Sequence, residues 1–323
     1  MACPDIFLGI DPSASPPHTF WENLAITPGE VVTSGNRNVH IIAANKGNAP
    51  AEGMKARVYW SPPTTGFIRV EDRKFGDYTV NLEPAAMGPD GEIAPGIDPE
   101  NVVFQATNAR NTMGHAAFLA QLWMPYPPGG NCPQQTYDGN DPAHDPRTAI
   151  WNIQITEHLP SMGPKMYYGF AASNPLFGSG QMETELTFRQ LNSSDPNDHH
   201  AIDQLTSHTG IAYKLASLGV TEFAPSQRVR VRRGVQQATA PMEIGPLGPI
   251  ARFQANRFGV GHWRPIQEPF PIELQSREQV QMLLEVEPSR TTGVAHAVQI
   301  THSTCERRFG GITLVFVPRR TYY

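Results

Sequence analysis

The chain has 323 residues, of which 39% are hydrophobic and only 17% are charged, and its formal net charge is −5. This length exceeds that of one immunoglobulin-like sandwich of about 100 residues and predicts two domains. The small negative charge provides no broad positive field, so we expect neither nucleic acid nor an acidic membrane surface as a partner.

Proline and glycine determine the secondary structure that we expect. The chain contains 31 Pro and 28 Gly, and its proline usage is about twice the average of about 5%. Such a composition favours short strands joined by many turns over long helices. Arginine outnumbers lysine by 20 to 5, a bias typical of protein interfaces, although a GC-rich genome produces the same bias.

The amino-terminal sequence has neither the basic nor the apolar part of a secretory signal, and no apolar run reaches about 18 residues. We therefore expect cytoplasmic synthesis without membrane insertion. The compartment in which the protein acts stays open, including release as a virus-like structural component.

The three cysteines, Cys3, Cys132 and Cys305, cannot all pair within one chain. They lack the C-x-x-C spacing of metal and redox sites. Three free thiols are the favoured interpretation, and one disulfide, within or between chains, is the alternative.

Alternating strands follow one another in the first half of the chain. PDIFLG and TFWENLAI predict leading strands, with Phe20 and Trp21 as core anchors. Asn38 to Trp60 holds two alternating runs around a Gly/Asn/Pro turn, which predicts a β-hairpin with one buried face. In its second strand the expected core side is Met54, Ala56, Val58 and Trp60, opposite Lys55, Arg57 and Tyr59.

Three further segments complete the predicted first domain, residues 1–157. The Pro/Gly-rich stretch from Glu83 to Asn101 predicts a long surface loop. GHAAFLAQLWMP, from Gly114 to Pro125, predicts a central strand because it is nearly continuously apolar. TAIWNIQI predicts the strand that closes the domain, with Trp151, Ile153 and Ile155 directed inward.

The order NKGNAPAEGMKARVYWSPP, GHAAFLAQLW, an Asp-rich loop and AIWNIQI resembles the CARDB-type immunoglobulin-like domains of bacteria and archaea, which are named for cell-adhesion relatives. That family has an N-x-G-N/D-x-x-A turn and a strand that begins with Gly-His, as Gly114 and His115 do here. Phe118 departs from its usual Leu or Cys, and the loop DGNDPAHDPR is longer. The resemblance implies an immunoglobulin-like sandwich followed by a second one, but no particular activity.

Residues 158–323 are predicted to form that second immunoglobulin-like sandwich. An amphipathic strand is indicated where Glu183, Glu185 and Arg189 alternate with Thr184, Leu186 and Phe188. A helical spacing of apolar residues predicts a short helical insertion near 199–219, either capping the sandwich or docking a partner. The end of the chain predicts three antiparallel strands with inward Met282, Leu284, Val286, Val298, Ile300, Ile312, Leu314 and Phe316.

RVRVRR is the most basic stretch of the chain. As a strand it directs Arg228, Arg230 and Arg232 to one side and Val229 and Val231 to the other. The favoured interpretation is a solvated face of a half-buried strand. A salt-bridged subunit contact and a phosphate-binding stripe are the alternatives, although no interleaved aromatic residue supports base stacking.

No catalytic motif is present: H-E-x-x-H, G-x-S-x-G, a phosphate-binding loop and a full G-x-G-x-x-G are all missing from the sequence. Cys305 with His296 or His302 is a conceivable nucleophile pair because the three lie close in sequence. Strand alternation separates them unless the STCERR turn bends back. We therefore expect no enzyme and assign no catalytic or cofactor-binding residue.

Oxygen-rich side chains in the loop DGNDPAHD are candidate Ca²⁺ ligands: Asp138, Asn140, Asp141 and Asp145. The loop lacks the spacing of an EF-hand, and the same residues are common in ordinary turns. His144, His199 and His200 add a transition-metal hypothesis with few ligands in separate loops. We expect no metal and no cofactor.

The sequence therefore predicts an all-β protein of two immunoglobulin-like antiparallel β-sandwiches in tandem. Its expected function is that of a non-enzymatic structural or interaction protein that self-assembles, as a homo-oligomer, filament or particle coat, through sandwich surfaces and sheet edges. The alternative is an accessory adhesion module that binds a glycan or protein through loops. Aromatic residues in or near such loops are Trp123, Tyr126, Tyr137, Phe258 and Trp263.

Overall fold

The structure is a computed structural model, which describes most of the chain. The described residues are 3–8, 21–22, 26–31, 37–67, 74–83, 86–87, 93–94, 96–97, 102–106, 116–125, 132, 145–158, 165–175, 180–207, 215, 218–225, 227, 229–233, 262–288 and 293–318.

The first twelve strands are β1 (Ile6–Leu8), β2 (Ile26–Val31), β3 (Arg37–Ile41), β4 (Ala43–Asn45), β5 (Ala51–Ser61), β6 (Lys74–Leu82), β7 (Ala86–Met87), β8 (Ile93–Ala94), β9 (Gly96–Ile97), β10 (Val102–Ala106), β11 (Ala117–Trp123) and β12 (Thr148–Trp151). The other ten are β13 (Ile153–His158), β14 (Met166–Ser173), β15 (Met182–Leu191), β16 (Gly219–Val220), β17 (Val229–Arg233), β18 (Arg264–Pro265), β19 (Phe270–Leu274), β20 (Gln279–Val286), β21 (Val294–Ser303) and β22 (Arg308–Pro318). The helix α1 (His199–Ser207) follows a 3-10 turn at Pro196–Asp198. The predicted all-β class with a short helical insertion is confirmed.

The chain forms two compact units. Unit 1 comprises residues 1–60, 69–110 and 118–151, and unit 2 comprises 61–68, 111–117 and 152–323. The change from unit 1 to unit 2 late in the chain falls between Trp151 and Asn152, whereas the sequence places the boundary after Glu157. Unit 2 also takes up two short segments from the first half, which strand periodicity alone does not predict.

Unit 2 is a sandwich of two sheets. One has the strand order β13-β22-β21-β15-β19, with β16 also pairing β21, and the other has the order β14-β20-β17-β18. Strands β14, β20 and β17 correspond to B, E and D of an immunoglobulin domain, and β15, β21 and β22 to C, F and G. The alternating side chains of both sheets form one buried cluster that includes Phe170, Leu186, Leu284 and Phe316.

The segment predicted to close the first domain divides into two strands. β12 pairs β11 antiparallel, but β13 pairs β22 in parallel, with Ile153 opposite Thr313. Asn152 lies between them and donates from Nδ2 to the carbonyls of Thr64 and Gly311, both at 2.6 Å. These buried hydrogen bonds interrupt the alternation, so the prediction of a single closing strand is wrong.

The predicted three-stranded antiparallel end is also wrong in its pairing. β21 and β22 form an antiparallel hairpin, whereas β20 lies in the opposite sheet between β14 and β17. The predicted inward residues of all three strands do belong to the core cluster. Alternation fixes which side chains face the core, but it does not determine which sheet a strand joins.

Unit 1 contains sheets with the strand orders β1-β4-β9, β10-β3-β2 and β12-β11-β5-β6. Its buried residues include Ile6, Trp21, Met54 and Phe118. β11 lies inside its sheet and is buried along most of its length, which confirms the predicted central strand. The segment from Glu83 to Asn101, predicted as a loop, contributes the short strands β7, β8 and β9.

The predicted hairpin from Asn38 to Trp60 does not form, because β3 and β4 pair strands other than β5. Asn45 provides the physical reason. Its Oδ1 accepts from the amides of Asp5 and Gly47, both at 2.9 Å, and its Nδ2 donates to the carbonyls of Ala49 and Glu83 at 2.8 and 3.1 Å. The turn is thus bound to other segments, and the chain passes from one sheet to another.

The alternation predicted for β5 holds for part of the strand. Met54, Ala56 and Val58 are fully buried, but Tyr59 is also buried and Trp60 is only half-buried. The register with β6 shifts between Arg57 and Tyr59. Such an irregularity changes the face on which later residues lie, and it explains the reversal after Val58.

A disulfide joins Cys3 to Cys132, and Cys305 is an exposed free thiol. The favoured interpretation of three free thiols is therefore wrong, and the pair lies within one chain. Gly47 packs closely against the same terminus, since a Cβ at this position would lie 2.2 Å from the Cys3 carbonyl oxygen. Among the described residues, no helix is long and apolar enough to cross a membrane.

Candidate interaction surface

A row of polar side chains crosses the outer face of the β14-β20-β17-β18 sheet in unit 2. Glu285 on β20 lies opposite Tyr167 on β14 and opposite Arg230 on β17. Arg230 donates to Glu285 Oε1 from Nε at 3.1 Å and from Nη2 at 2.5 Å. The Glu285 side chain is 3% exposed, so this carboxylate is nearly removed from water and held by its neighbours.

Trp263 covers the arginines of this row. Its ring lies 5.3 Å from the Arg230 guanidinium and 4.6 Å from that of Arg232. It also contacts Tyr167 with ring centroids 6.3 Å apart. Each such cation–π contact contributes about 0.5–2 kcal/mol, depending on how much water is excluded.

Glu285 interacts with Tyr167 on β14 and with Lys165, which directly precedes β14. Burial raises the pKa of Tyr167, and the adjacent Glu285, which accepts its hydrogen bond, raises it further against the opposing effect of Arg230 and Arg232. Lys165 Nζ lies 3.8 Å from Glu285 Oε1 and 3.9 Å from Glu287 Oε1. Three cationic and two anionic side chains therefore meet on the outer face, and most of their charge is compensated within the chain.

The RVRVRR stretch is confirmed as a strand with buried Val229 and Val231. Its expected solvated face is only partly correct, since Arg230 is paired to Glu285 and Arg232 is buried. Arg228 lies outside the described residues. The ion pair of Arg230 with Glu285 and the contact of Arg232 with Trp263 give these two arginines a structural role within one chain.

Unit 1 has a smaller cluster of the same chemistry. The Arg57 guanidinium lies 4.6 Å from the Trp123 ring, and its Nη1 donates to the Tyr59 hydroxyl at 3.0 Å. Trp123 and Trp263 are both half-buried. The other aromatic residues proposed for ligand loops, Tyr126, Tyr137 and Phe258, lie outside the described residues.

A different arrangement occupies the margin of unit 2 where β19 ends its sheet. Glu183 on β15 lies directly opposite Glu273 on β19, and Glu185 follows on the same face of β15. All three side chains are exposed. Gln181 Nε2 donates a hydrogen bond to Glu273 Oε2 at 2.7 Å, whereas the ion pairs described in unit 2 engage other carboxylates, namely Asp198, Glu285 and Glu287. Like charges directly opposite one another are destabilising.

The conceivable nucleophile pair is not assembled. Cys305 is exposed in the turn between β21 and β22, while His296 and His302 are buried. His296 stacks on Phe223 with ring centroids 4.1 Å apart, and its Nδ1 donates to the Thr221 carbonyl at 2.9 Å. Both histidines therefore have structural contacts in place of a thiol partner.

The His302 side chain is fully buried. Its Nε2 bonds the Thr184 hydroxyl at 2.8 Å, and its ring meets Phe309 edge-on with centroids 5.2 Å apart. Its buried Nδ1 has no hydrogen-bond partner among the described residues. Burial lowers the pKa of His302 from 6.5 to about 3.

Few of the residues proposed as metal ligands lie in the described part of the chain. Asp138, Asn140, Asp141 and His144 lie outside the described residues. Asp145 is buried and accepts from the backbone amide of Arg147 at 3.0 Å and from its Nε at 2.8 Å, which stabilises the turn before β12. His199 and His200 are exposed on α1. Within the described part of the chain, no three His, Cys, Asp or Glu residues converge to hold a metal ion.

Sequence reasoning missed Glu285 and Asn45. A signal for the first exists, because QMLLEV places one acidic residue inside an apolar strand while RVRVRR offers its counter-ion. Asn45 resembles any turn asparagine in sequence, and only its four hydrogen bonds distinguish it.

Comparison with known proteins identifies no family for this chain. No family model matches the chain, and no curated protein matches it. Among solved structures, the chain is similar to the crystal structure of a point mutant of the CFA/I enterotoxigenic E. coli adhesin CfaE, at 8% identity over 99% of this chain and 94% of that chain. The TM-score is 0.20, and a likeness this low carries no argument.

Proposed function

We propose that this protein is a non-enzymatic structural or interaction protein that self-assembles, or coats a larger assembly, through sandwich surfaces and sheet edges. The observation that carries the proposal is the exposed pair Glu183 and Glu273, which face one another across β15 and β19. Their repulsion is a cost in the isolated subunit. Contact with a cationic surface of another subunit relieves that cost.

Two further observations support the proposal. The buried histidines and the Arg230–Glu285 pair are engaged in packing and cross-strand contacts. The composition, with 20 Arg against 5 Lys and 17% charged residues, is similar to that of protein interfaces, where Lys and Glu are depleted. The resemblance of the first half to CARDB-type domains remains a hypothesis about the fold and implies no particular activity.

Light scattering over a concentration series, with electron microscopy of the same sample, tests the proposal. Self-assembly predicts a closed oligomer or a regular polymer whose mass rises above 35.6 kDa with concentration. A monomer at every concentration, with no regular particle in the images, would refute it.

The alternative function, an adhesion module for glycan or protein, is favoured by Trp123 and Trp263. Both rings are half-buried and each has an arginine guanidinium 4.6 Å from its centre, so each is a partly exposed aromatic ring held in place by packing. Retention of a monomeric protein on glycan or cell-wall material, lost in Trp123→Ala or Trp263→Ala, would favour this function over self-assembly.

A further inference from the structure

The margin of unit 2 formed by β18 and β19 carries both signs of charge. β18 ends the sheet β14-β20-β17-β18, and β19 is the last strand next to β15 in the other sheet. Residues 266–269 join them, and Ile266 and Phe270 at the ends of this connection are both in the core cluster. The two sheet edges therefore lie on the same side of the sandwich.

The basic half of this margin consists of Arg233 at the end of β17 and Arg264 on β18, both exposed. The Arg264 guanidinium lies 5.5 Å from the Phe270 ring at the start of β19, which places it beside the other sheet edge. The acidic half consists of Glu273 on β19 together with Glu183 and Glu185 on the neighbouring strand β15, and these three side chains lie on the outer face of that sheet. We call these five residues the charged edge.

Proline makes the charged edge unsuitable for an added strand. β18 contains Pro265 and β19 contains Pro271, and both are exposed. Proline provides no backbone N–H, and at the edges of sheets it discourages pairing with another strand. A partner at this edge must therefore meet side chains, so charge decides which partner fits.

We infer that the charged edge is a self-complementary interface, which binds the charged edge of a second copy of this chain about a two-fold axis. In such an interface the acidic half of one subunit contacts the basic half of its partner, and the reverse. The carboxylates of one copy therefore lie against Arg233 and Arg264 of the other. A partner of one sign would satisfy half of the edge and repel the other half. This inference rests on the proposed self-assembly and names the surface.

Charge reversal with mixing tests the interface. Glu183→Lys with Glu273→Lys makes the edge predominantly basic, and Arg233→Glu with Arg264→Glu makes it entirely acidic. We expect each double variant alone to associate at least tenfold more weakly than the unchanged protein, because like charges then meet. An equimolar mixture of the two should restore association, since each edge finds its complement, and the mixture also shows that both variants fold.

The matched control is Glu52→Lys with Glu83→Lys, which makes the same charge change at two exposed positions of unit 1. It should associate like the unchanged protein, as measured by sedimentation and light scattering at low and high salt. Association that is unchanged in both edge variants would overturn the charged edge and leave self-assembly standing. Loss of association in both that mixing does not restore would also overturn it. An unchanged protein that is always monomeric would overturn both proposals.

Discussion

His302 on β21 donates a hydrogen bond from Nε2 to the hydroxyl oxygen of Thr184 on β15, across 2.8 Å. The Thr184 hydroxyl donates its own proton to the Ile272 carbonyl at 2.9 Å, so its oxygen can only accept from the imidazole. This fixes the neutral ring with its proton on Nε2 and leaves the buried Nδ1 unprotonated. An acid-sensitive point is thereby built into the core of unit 2.

Stability should fall as the pH falls. The folded-state pKa of His302 is about 3, below its ordinary 6.5, so the unfolded state binds more protons between these values. The contribution is complete above pH 6.5 and is lost progressively toward pH 3. At pH 4 the loss is about 3 kcal/mol. Denaturant unfolding at pH 7 and pH 4 measures it.

The variant His302→Leu removes this titration and should flatten the pH dependence by that amount. His200→Gln, at an exposed position of α1, is the control and should keep the dependence of the unchanged protein. An equal pH dependence in the His302 variant and the unchanged protein would contradict the assignment.

The disulfide between Cys3 and Cys132 should stabilise unit 1 strongly, because its cysteines are 129 residues apart in the chain. Closing a long loop restricts the unfolded chain, and losing a native disulfide costs about 2–5 kcal/mol. Cys3→Ser with Cys132→Ser should therefore lower the free energy of unfolding by this amount. Cys305→Ser is the control, and peptide mapping without reductant checks the pairing; a cross-link through Cys305 would contradict it.

Loss of the Glu285 carboxylate should lower both the stability of unit 2 and the pKa of Tyr167. Glu285→Gln removes the charge that holds Arg230 and Lys165, and hydrogen bonds to charged groups contribute about 1.5–3 kcal/mol. The pKa of Tyr167 should also fall, because Glu285 helps to raise it. Thermal unfolding and NMR titration of labelled tyrosine measure the two effects. Glu287→Gln, which removes one contact at 3.9 Å, should change both less.

The sequence predicts the faces of the strands better than their partners. The inward side chains of β15, β17 and β20 to β22 follow from a two-residue period, which is a local property of the chain. The partner of β5 or β20 depends on distant segments, and Asn45 and Asn152 redirect the chain through buried hydrogen bonds that no local pattern reveals. The charged edge is equally impossible to predict from the sequence, because Glu183 and Glu273 are far apart in the chain and lie opposite each other only in the register of β15 with β19.

Asn45 provides a direct test of this account of unit 1. Asn45→Ala removes the partner of two amides and two carbonyls, and unsatisfied buried groups cost about 1–3 kcal/mol each. We expect a loss of about 2–4 kcal/mol in the free energy of unfolding, since water satisfies some of these groups. Asn48→Ala, which removes one exposed bond to the Cys3 amide, should cost about 1 kcal/mol or less. Equal losses would argue against the anchoring role of Asn45.

Glu183 should show that the charged edge is unfavourable in a single subunit. Glu183→Lys converts the repulsion with Glu273 into attraction and keeps the hydrogen bond that Gln181 donates to Glu273, and cross-strand charge pairs contribute about 0.2–1 kcal/mol. At concentrations too low for association, this variant should therefore be more stable than the unchanged protein by about that amount. The gain should shrink with added salt, which screens exposed charges. Denaturant unfolding of dilute protein at low and high salt measures it. If the variant were less stable at low salt, the cost attributed to the facing carboxylates would be absent, and with it the main support for assembly through this edge.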